Sequence, residues 1–235
     1  MSHRVDLTRR LLIRTGLSAL TLGLTSAPLP AWAAQLHRTP RQTRGPFYPT
    51  EIPLDHDNDL VTIAGQPGVA RGEITNVVGR VLDEAGRPLR QARVEIWQCD
   101  VNGRYRHPWD RRDVPLDPSF QGYGQIVTGA DGAYRFRTIK PVPYPGRAPH
   151  IHFAVSGPGF EPLVTQLYVA GAPENASDGV LNGIRDAKAR QSLVVAFESA
   201  AGASGGELLA RFDIVLAADG RFGTRSQEYQ RLHRG

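Results

Sequence analysis

Residues 77–97, VVGRVLDEAGRPLRQARVEIW, carry the pattern that decides the fold. Val77-Val78-Gly79-Arg80-Val81-Leu82 is rich in β-branched residues, which suit a pleated, half-buried surface. It runs into Asp83-Glu84-Ala85-Gly86, a hairpin-type turn signal. Ala92–Trp97 then alternates apolar and polar residues, the two-residue period of a strand with one buried face. Working outward, strands are expected at Gln125–Thr128, Ala133–Thr138, His150–Ser156, Leu163–Val169 and Leu208–Leu216, punctuated by turns at Gly129–Gly132 and Gly157–Gly159. Many short strands with Gly/Pro turns predict an all-β fold, an antiparallel β-sandwich with little helix. A short helix is expected over residues 183–201. Residues 99–124 and 139–149 are long and irregular, and loops of that length are usually functional or disordered.

The chain has 235 residues and a net charge of +5. Arg4, Arg9, Arg10 and Arg14 against Asp6 give residues 1–33 a net +3, which leaves +2 for the remainder. No basic stripe with interleaved aromatics is present, so no nucleic-acid partner is expected. Thr8-Arg9-Arg10 precedes an apolar stretch, Leu17–Leu24, and Ala31-Trp32-Ala33 follows as an A-x-A-type cleavage site. This is the charged, apolar, small-residue order of a secretory signal, with the paired arginines of the twin-arginine type. The expected organisation is therefore an export signal at 1–33 and a sandwich domain at 34–235, with the mature protein periplasmic or secreted. The apolar run is too short for a membrane span. The single cysteine, Cys99, rules out an intrachain disulfide and reads as a buried structural residue.

The sharpest local feature is Pro149-His150-Ile151-His152-Phe153. On a strand, residues i and i+2 share a face, so both imidazoles project together while Ile151 and Phe153 point to the core. Such a pair is half of a metal site, and imidazole alone does not choose among Zn, Cu, Fe and Ni. The usual zinc signatures are absent. Tyr144 is framed by Pro143 and Pro145, which restrict its backbone, and Tyr105 opens the long loop after Gly103-Arg104. Phenolate is a hard anionic donor once a trivalent metal displaces its proton, so tyrosines with histidines favour Fe(III).

The stretches GRVLDEAGRPLRQARVEIWQCDVNGRYRH, PLDPSFQGYGQIVTGADGAYRFRTIKPVPYP, RAPHIHFAVSGPGF and LVTQLYV together resemble the intradiol ring-cleavage dioxygenases, among them the iron-binding β subunits of two-subunit members. Weaker resemblance lies in GPFYP near the start, in LDHDNDL and in ARFDIVL. The resemblance implies a mononuclear non-haem Fe(III) held by Tyr105, Tyr144, His150 and His152. It implies that Tyr105 stays bound, that Tyr144 leaves when substrate chelates, and that His150 is axial and His152 equatorial. Arg147 corresponds to an arginine that steadies negative charge on the substrate, and Gln166 to a polar residue lining the substrate and O2 pocket. The implied substrates are a catecholic small molecule and O2. A homo-oligomer or an α-type partner subunit is the implied assembly. One departure stands out: Gly146 alone separates Pro145 from Arg147, where the two-subunit enzymes carry a longer, tryptophan-containing loop. That compact arrangement resembles exported members and implies a more open pocket. Two rival readings remain on the residues alone. The 77–97 pattern also resembles non-enzymatic transthyretin-like sandwich modules, and a Zn or Cu enzyme could use the two histidines.

Overall fold

The β-branched and aromatic runs form ten strands among the residues that the computed structural model describes, 36–199 and 206–217. The export signal expected at 1–33 lies outside the described residues. In chain order the strands are β1 (Ile74–Asp83), β2 (Arg93–Trp97), β3 (Tyr123–Val127), β4 (Ala133–Ile139), β5 (His150–Ser156), β6 (Leu163–Val169), β7 (Val194–Val195), β8 (Phe197–Ser199), β9 (Leu208–Arg211) and β10 (Ile214–Leu216). Two five-stranded sheets result, and the all-β sandwich expected from the sequence is the fold.

In the first sheet, β1 pairs antiparallel with β4 along one side. Along its other side it is parallel in turn to β9 and β10. The single strand expected over 208–216 is thus two, broken where the Phe212 N–H turns to the Val78 carbonyl and Asp213 accepts the Arg80 N–H at 2.8 Å. The second sheet runs β3-β2-β5-β6-β7, with β7 parallel to β6. The parallel pairings are additions that alternation in the sequence does not reveal, because period two is common to both pairing modes.

The expected helix over 183–201 is largely corrected. Helix α1 (Gly179–Asn182) lies before it, α2 (Ala187–Gln191) is little more than one turn, and β7 and β8 occupy residues 194–199. Asp178 and Asp186 cap the two helices by accepting the second and third N–H groups of each. The apolar run from Leu193 leaves the helix because Tyr168 and Ala170 donate their N–H groups to Leu193 and Val195 carbonyls, extending the sheet.

Val77 and Val81 of β1, Tyr134 and Phe136 of β4, Val94 and Ile96 of β2, and Ile151, Phe153 and Val155 of β5 fill the space between the sheets. The outer face of the second sheet is covered too. A second apolar cluster of Trp97, Cys99, Tyr105, Tyr123 and Ala154 packs there with Phe47, Tyr48 and Tyr144 from the loops. β5 is consequently buried on both faces, and the two-histidine face looks into protein rather than solvent. Among the described residues no helix is long and apolar enough to cross a membrane.

Candidate metal centre

The strand register sets the first half of the site. Trp97 is paired with Tyr123 on one side and His152 on the other, and His152 with Gln166, so one buried rung crosses four strands. His150 pairs with Tyr168 on the next rung of the same face. Trp97 stacks flat on His152, with centroids 4.7 Å apart and planes within 4°. The His150 and His152 rings lie 4.8 Å apart, and their Nε2 atoms are 3.2 Å apart. His150 Nδ1 sits 2.6 Å from the Ala148 carbonyl. That contact assigns the hydrogen to Nδ1 and leaves the Nε2 lone pair facing His152.

The long loops deliver the tyrosines. Buried aspartates organise the first loop. Asp100 accepts the N–H groups of Asn102, Arg104 and Asp117, and Asp110 accepts that of Tyr105 at 2.8 Å. Tyr105 is only 3% exposed and its hydroxyl is buried without a hydrogen-bond partner. Phe47 stacks on its ring at 4.7 Å. Tyr144 is half-buried and begins a tight turn: the Arg147 N–H donates to the Tyr144 carbonyl at 2.9 Å, and Gly146 has φ +80°. Pro-Gly at the two central positions is what a type II turn requires. The turn brings Arg147 back beside Tyr144, with Nη1 3.4 Å from the hydroxyl. The ring centroids of Tyr144 lie 5.7 Å from Tyr105 and 5.5 Å from His150, and Tyr105 is 6.2 Å from His152.

Arg147 is held from three sides. It donates to Asp178 at 2.9 Å, to Gln166 Oε1 at 2.5 Å and to the Tyr168 hydroxyl at 3.3 Å. Gln166 is fully buried, and its amide donates to the Thr43 carbonyl. The six residues singled out by the sequence therefore converge, with Gln166 engaged in fixing Arg147 and the Thr43 segment.

A family profile described as dioxygenase matches residues 43–218. The β chain of protocatechuate 3,4-dioxygenase from Burkholderia cepacia is 45% identical over 75% of this chain and 78% of that protein. The chain belongs to the intradiol ring-cleavage dioxygenase family. Hydroxyquinol 1,2-dioxygenase from Corynebacterium glutamicum is 32% identical over 74% of this chain, which spans 62% of that enzyme's length. Among solved structures, the dioxygenase domain of a carbohydrate-binding fusion protein from Streptomyces sp. SirexAA-E superposes with a TM-score of 0.58 at 32% identity, covering 78% of this chain and all of that one.

Several residues around the candidate site are silent in the sequence. Asp178, far along the chain, is 1% exposed and accepts from Arg147, the Ala148 N–H and the first turn of α1. Its only sequence signal is that of a helix cap. Gly45, at φ +69°, crosses the histidine face so closely that a β-carbon would stand 3.3 Å from His152 Cε1. Trp97 reads as an ordinary core aromatic until the register sets it on His152.

Electrostatics suit neutral nitrogen donors. Burial, then the charge of nearby Arg147, pushes His150 down to about 4. Burial, with His150 and Arg147, holds His152 well below the ordinary imidazole range. Burial raises both phenols, Tyr105 most, so a bound cation would have to drive off their protons. The donor set fits a metal. The His150 and His152 Nε2 atoms, 3.2 Å apart, would be its nitrogen donors, and the orphaned Tyr105 oxygen would be a third donor. No group of three His, Cys, Asp or Glu side chains among the described residues is placed to hold a metal. Any metal here would depend on the phenols, which favours a hard trivalent cation.

Proposed function

We propose that this chain cleaves catechol-type rings between their two hydroxylated carbons with O2, at one non-haem Fe(III) per chain held by Tyr105, Tyr144, His150 and His152. The observation that carries this reading is the convergence of two neutral buried imidazoles on an unpartnered buried phenol, with a second, half-buried phenol beside them. Iron(III) would supply Lewis acidity and a template that makes the chelated ring reactive towards O2.

The remaining roles belong to the protein. Tyr105 is anchored through its backbone by Asp110 and packed under Phe47, so it remains in place. Tyr144 sits on a two-residue turn at the solvent side, so it is the phenol free to leave. Its oxygen then takes a proton from a catechol hydroxyl, a step its raised pKa favours. Arg147, fixed by Asp178 and Gln166, offers a preorganised cation to the charge that develops on the ring. Gln166 acts through Arg147. Incorporating both oxygen atoms while breaking the bond between the hydroxylated carbons gives a cis,cis-muconate-type diacid.

The names of the relatives, which include protocatechuate, hydroxyquinol and catechol dioxygenases, supply the substrate class to test. The twin-arginine-type segment at 1–33 supports export to the periplasm or beyond. A relative that is itself a β chain supports an α-type partner subunit as an alternative to a homo-oligomer. The decisive experiment loads the protein with iron and records its visible spectrum and its O2 uptake with catechol, protocatechuate and hydroxyquinol. Tyrosinate on Fe(III) absorbs strongly in the visible, so a red protein is expected. A colourless protein with one iron per chain would overturn the ligand set.

A further inference from the structure

We propose that Arg112 is a positioning residue that holds the Tyr144 ring against the metal-binding face and so opposes its release. This rests on the proposed role of Tyr144 as the ligand that departs. Arg112 belongs to the Tyr105 loop, and its guanidinium carbon lies 4.9 Å from the centroid of the Tyr144 ring. The guanidinium is itself anchored. Nε donates to Asp110 Oδ1 at 2.8 Å and Nη2 pairs with Oδ2 of the same carboxylate, which is 1% exposed. Asp110 in turn accepts the N–H of Tyr105.

One carboxylate therefore ties together the backbone of the tyrosine that stays and the cation that covers the tyrosine that leaves. The two loops are in direct contact at this point. A β-carbon on Gly103 would stand 3.5 Å from Tyr144 Cβ, 3.2 Å from the Pro143 carbonyl and 3.9 Å from Arg112 Nη1. Guanidinium attracts an aromatic face electrostatically, and the contact exists only while the ring lies under it. Release that carries the ring out from under the guanidinium forfeits this contact, and in that way Arg112 weights the equilibrium towards the ring-in state. At a partly exposed site such a contact is worth about a two- to five-fold factor.

The test is an anaerobic titration of iron-loaded protein with catechol, followed by its visible band, with iron content and thermal melting recorded for each variant. Arg112→Gln keeps a planar end but loses the charge. It is expected to bind catechol about two- to five-fold more tightly, because the competing phenol leaves more easily. Arg112→Lys keeps a cation and is expected to stay close to wild type. In a Tyr144→Phe background the Arg112→Gln effect must vanish, since no ligand remains to release. If Arg112→Gln does not fold, Asp110→Asn, which frees the guanidinium from its anchor, is expected to move the affinity in the same direction. Unchanged affinity in the charge-neutral variant, an equal shift in Arg112→Lys, or a shift that persists without the Tyr144 hydroxyl would each overturn the proposal. A wild-type protein that holds iron without a visible band would overturn the ligand reading and this inference with it. A coloured wild type whose variants do not differ overturns the inference alone.

Discussion

Asp178→Ala is expected to be the most damaging single substitution outside the metal-binding set. The carboxylate is buried and receives four N–H groups: Arg147 Nε at 2.9 Å, Ala148 at 2.8 Å, Val180 at 2.9 Å and Leu181 at 2.8 Å. Truncation leaves the Arg147 cation, only 15% exposed in its side chain, without a counter-charge. Breaking a buried pair from one side costs about 3–5 kcal/mol, a range that absorbs the roughly 1 kcal/mol of the lost helix cap. For a chain of this size each kcal/mol lowers Tm by about 2–4 °C, so the expected fall is about 6–20 °C. Asp178→Asn separates the two functions. Its remaining carbonyl can still cap α1, whereas its amide must face the Arg147 and Ala148 donors. Burial alone would raise the Asp178 pKa, but the Leu181 and Ala148 N–H groups and Arg147 hold it below the ordinary value of 3.8. A depressed carboxylate contributes fully above its unfolded pKa and loses that contribution as pH falls through the folded one. The difference between wild type and Asp178→Asn should therefore be full at neutral pH and shrink below about pH 4. Thermal and urea unfolding of the metal-free protein reads all of this without interference from iron. A Tm for Asp178→Ala within about 2 °C of wild type would refute the reasoning.

The histidine pair gives a pH prediction of opposite origin. Both imidazoles are depressed from 6.5, His150 to about 4, so the unfolded chain binds more protons below pH 6.5. Metal-free protein should lose stability as pH falls from 6.5 towards 4, less steeply in a His152→Gln variant; equal slopes in the two would contradict the burial of neutral imidazole. Gly45→Ala places a β-carbon 3.3 Å from His152 Cε1 on a left-handed backbone, which costs about 1–2 kcal/mol in strain alone. It should lower the iron retained after dialysis against a chelator, and full retention would show that the Gly45 segment yields without disturbing His152.

Much of this was legible in the sequence where a residue's role follows from its local pattern. β5 and β6 begin and end at the strand runs expected between turns, His150–Ser156 and Leu163–Val169. Tyr144 is legible because Pro143 and Pro145 restrict its backbone, and Arg147 through the family resemblance, whereas the tight turn that joins them is a finding of the structure. What was hidden is what depends on a distant partner. Parallel addition of β9 and β10 to β1 has no periodic signature, and Leu193–Val195 reads as the tail of a helix until Tyr168 and Ala170 claim its carbonyls. The same distinction separates the site residues. His150 and His152 announce themselves by spacing, whereas Asp178, Arg112 and Gly45 matter through contacts with residues 31, 32 and 107 positions away in the chain.

That distinction has an energetic counterpart at Tyr105. A buried hydroxyl without a partner costs roughly 1–3 kcal/mol, the desolvation of a group that gains nothing in return. Burial first, then the Cys99 and Tyr144 side chains, opposes its ionisation and Arg147 favours it, and the neighbouring Tyr144 hydroxyl gives it at most a weak polar contact. A fold under selection for stability alone would carry phenylalanine here, stacked on Phe47 as the tyrosine ring already is. Tyr105→Phe is therefore expected to raise the Tm of metal-free protein, by about 2–4 °C for each kcal/mol recovered, while removing the visible band and turnover of the iron-loaded form. The two effects must have opposite signs if the site is strained in favour of a ligand. Iron should stabilise the wild type by mass action, since it binds the folded state, and should stabilise the phenylalanine variant far less. Calorimetry of both proteins with and without iron measures the four states. A variant that is less stable than wild type without metal would mean that the hydroxyl is already satisfied, and the case for Tyr105 as a waiting donor would fail.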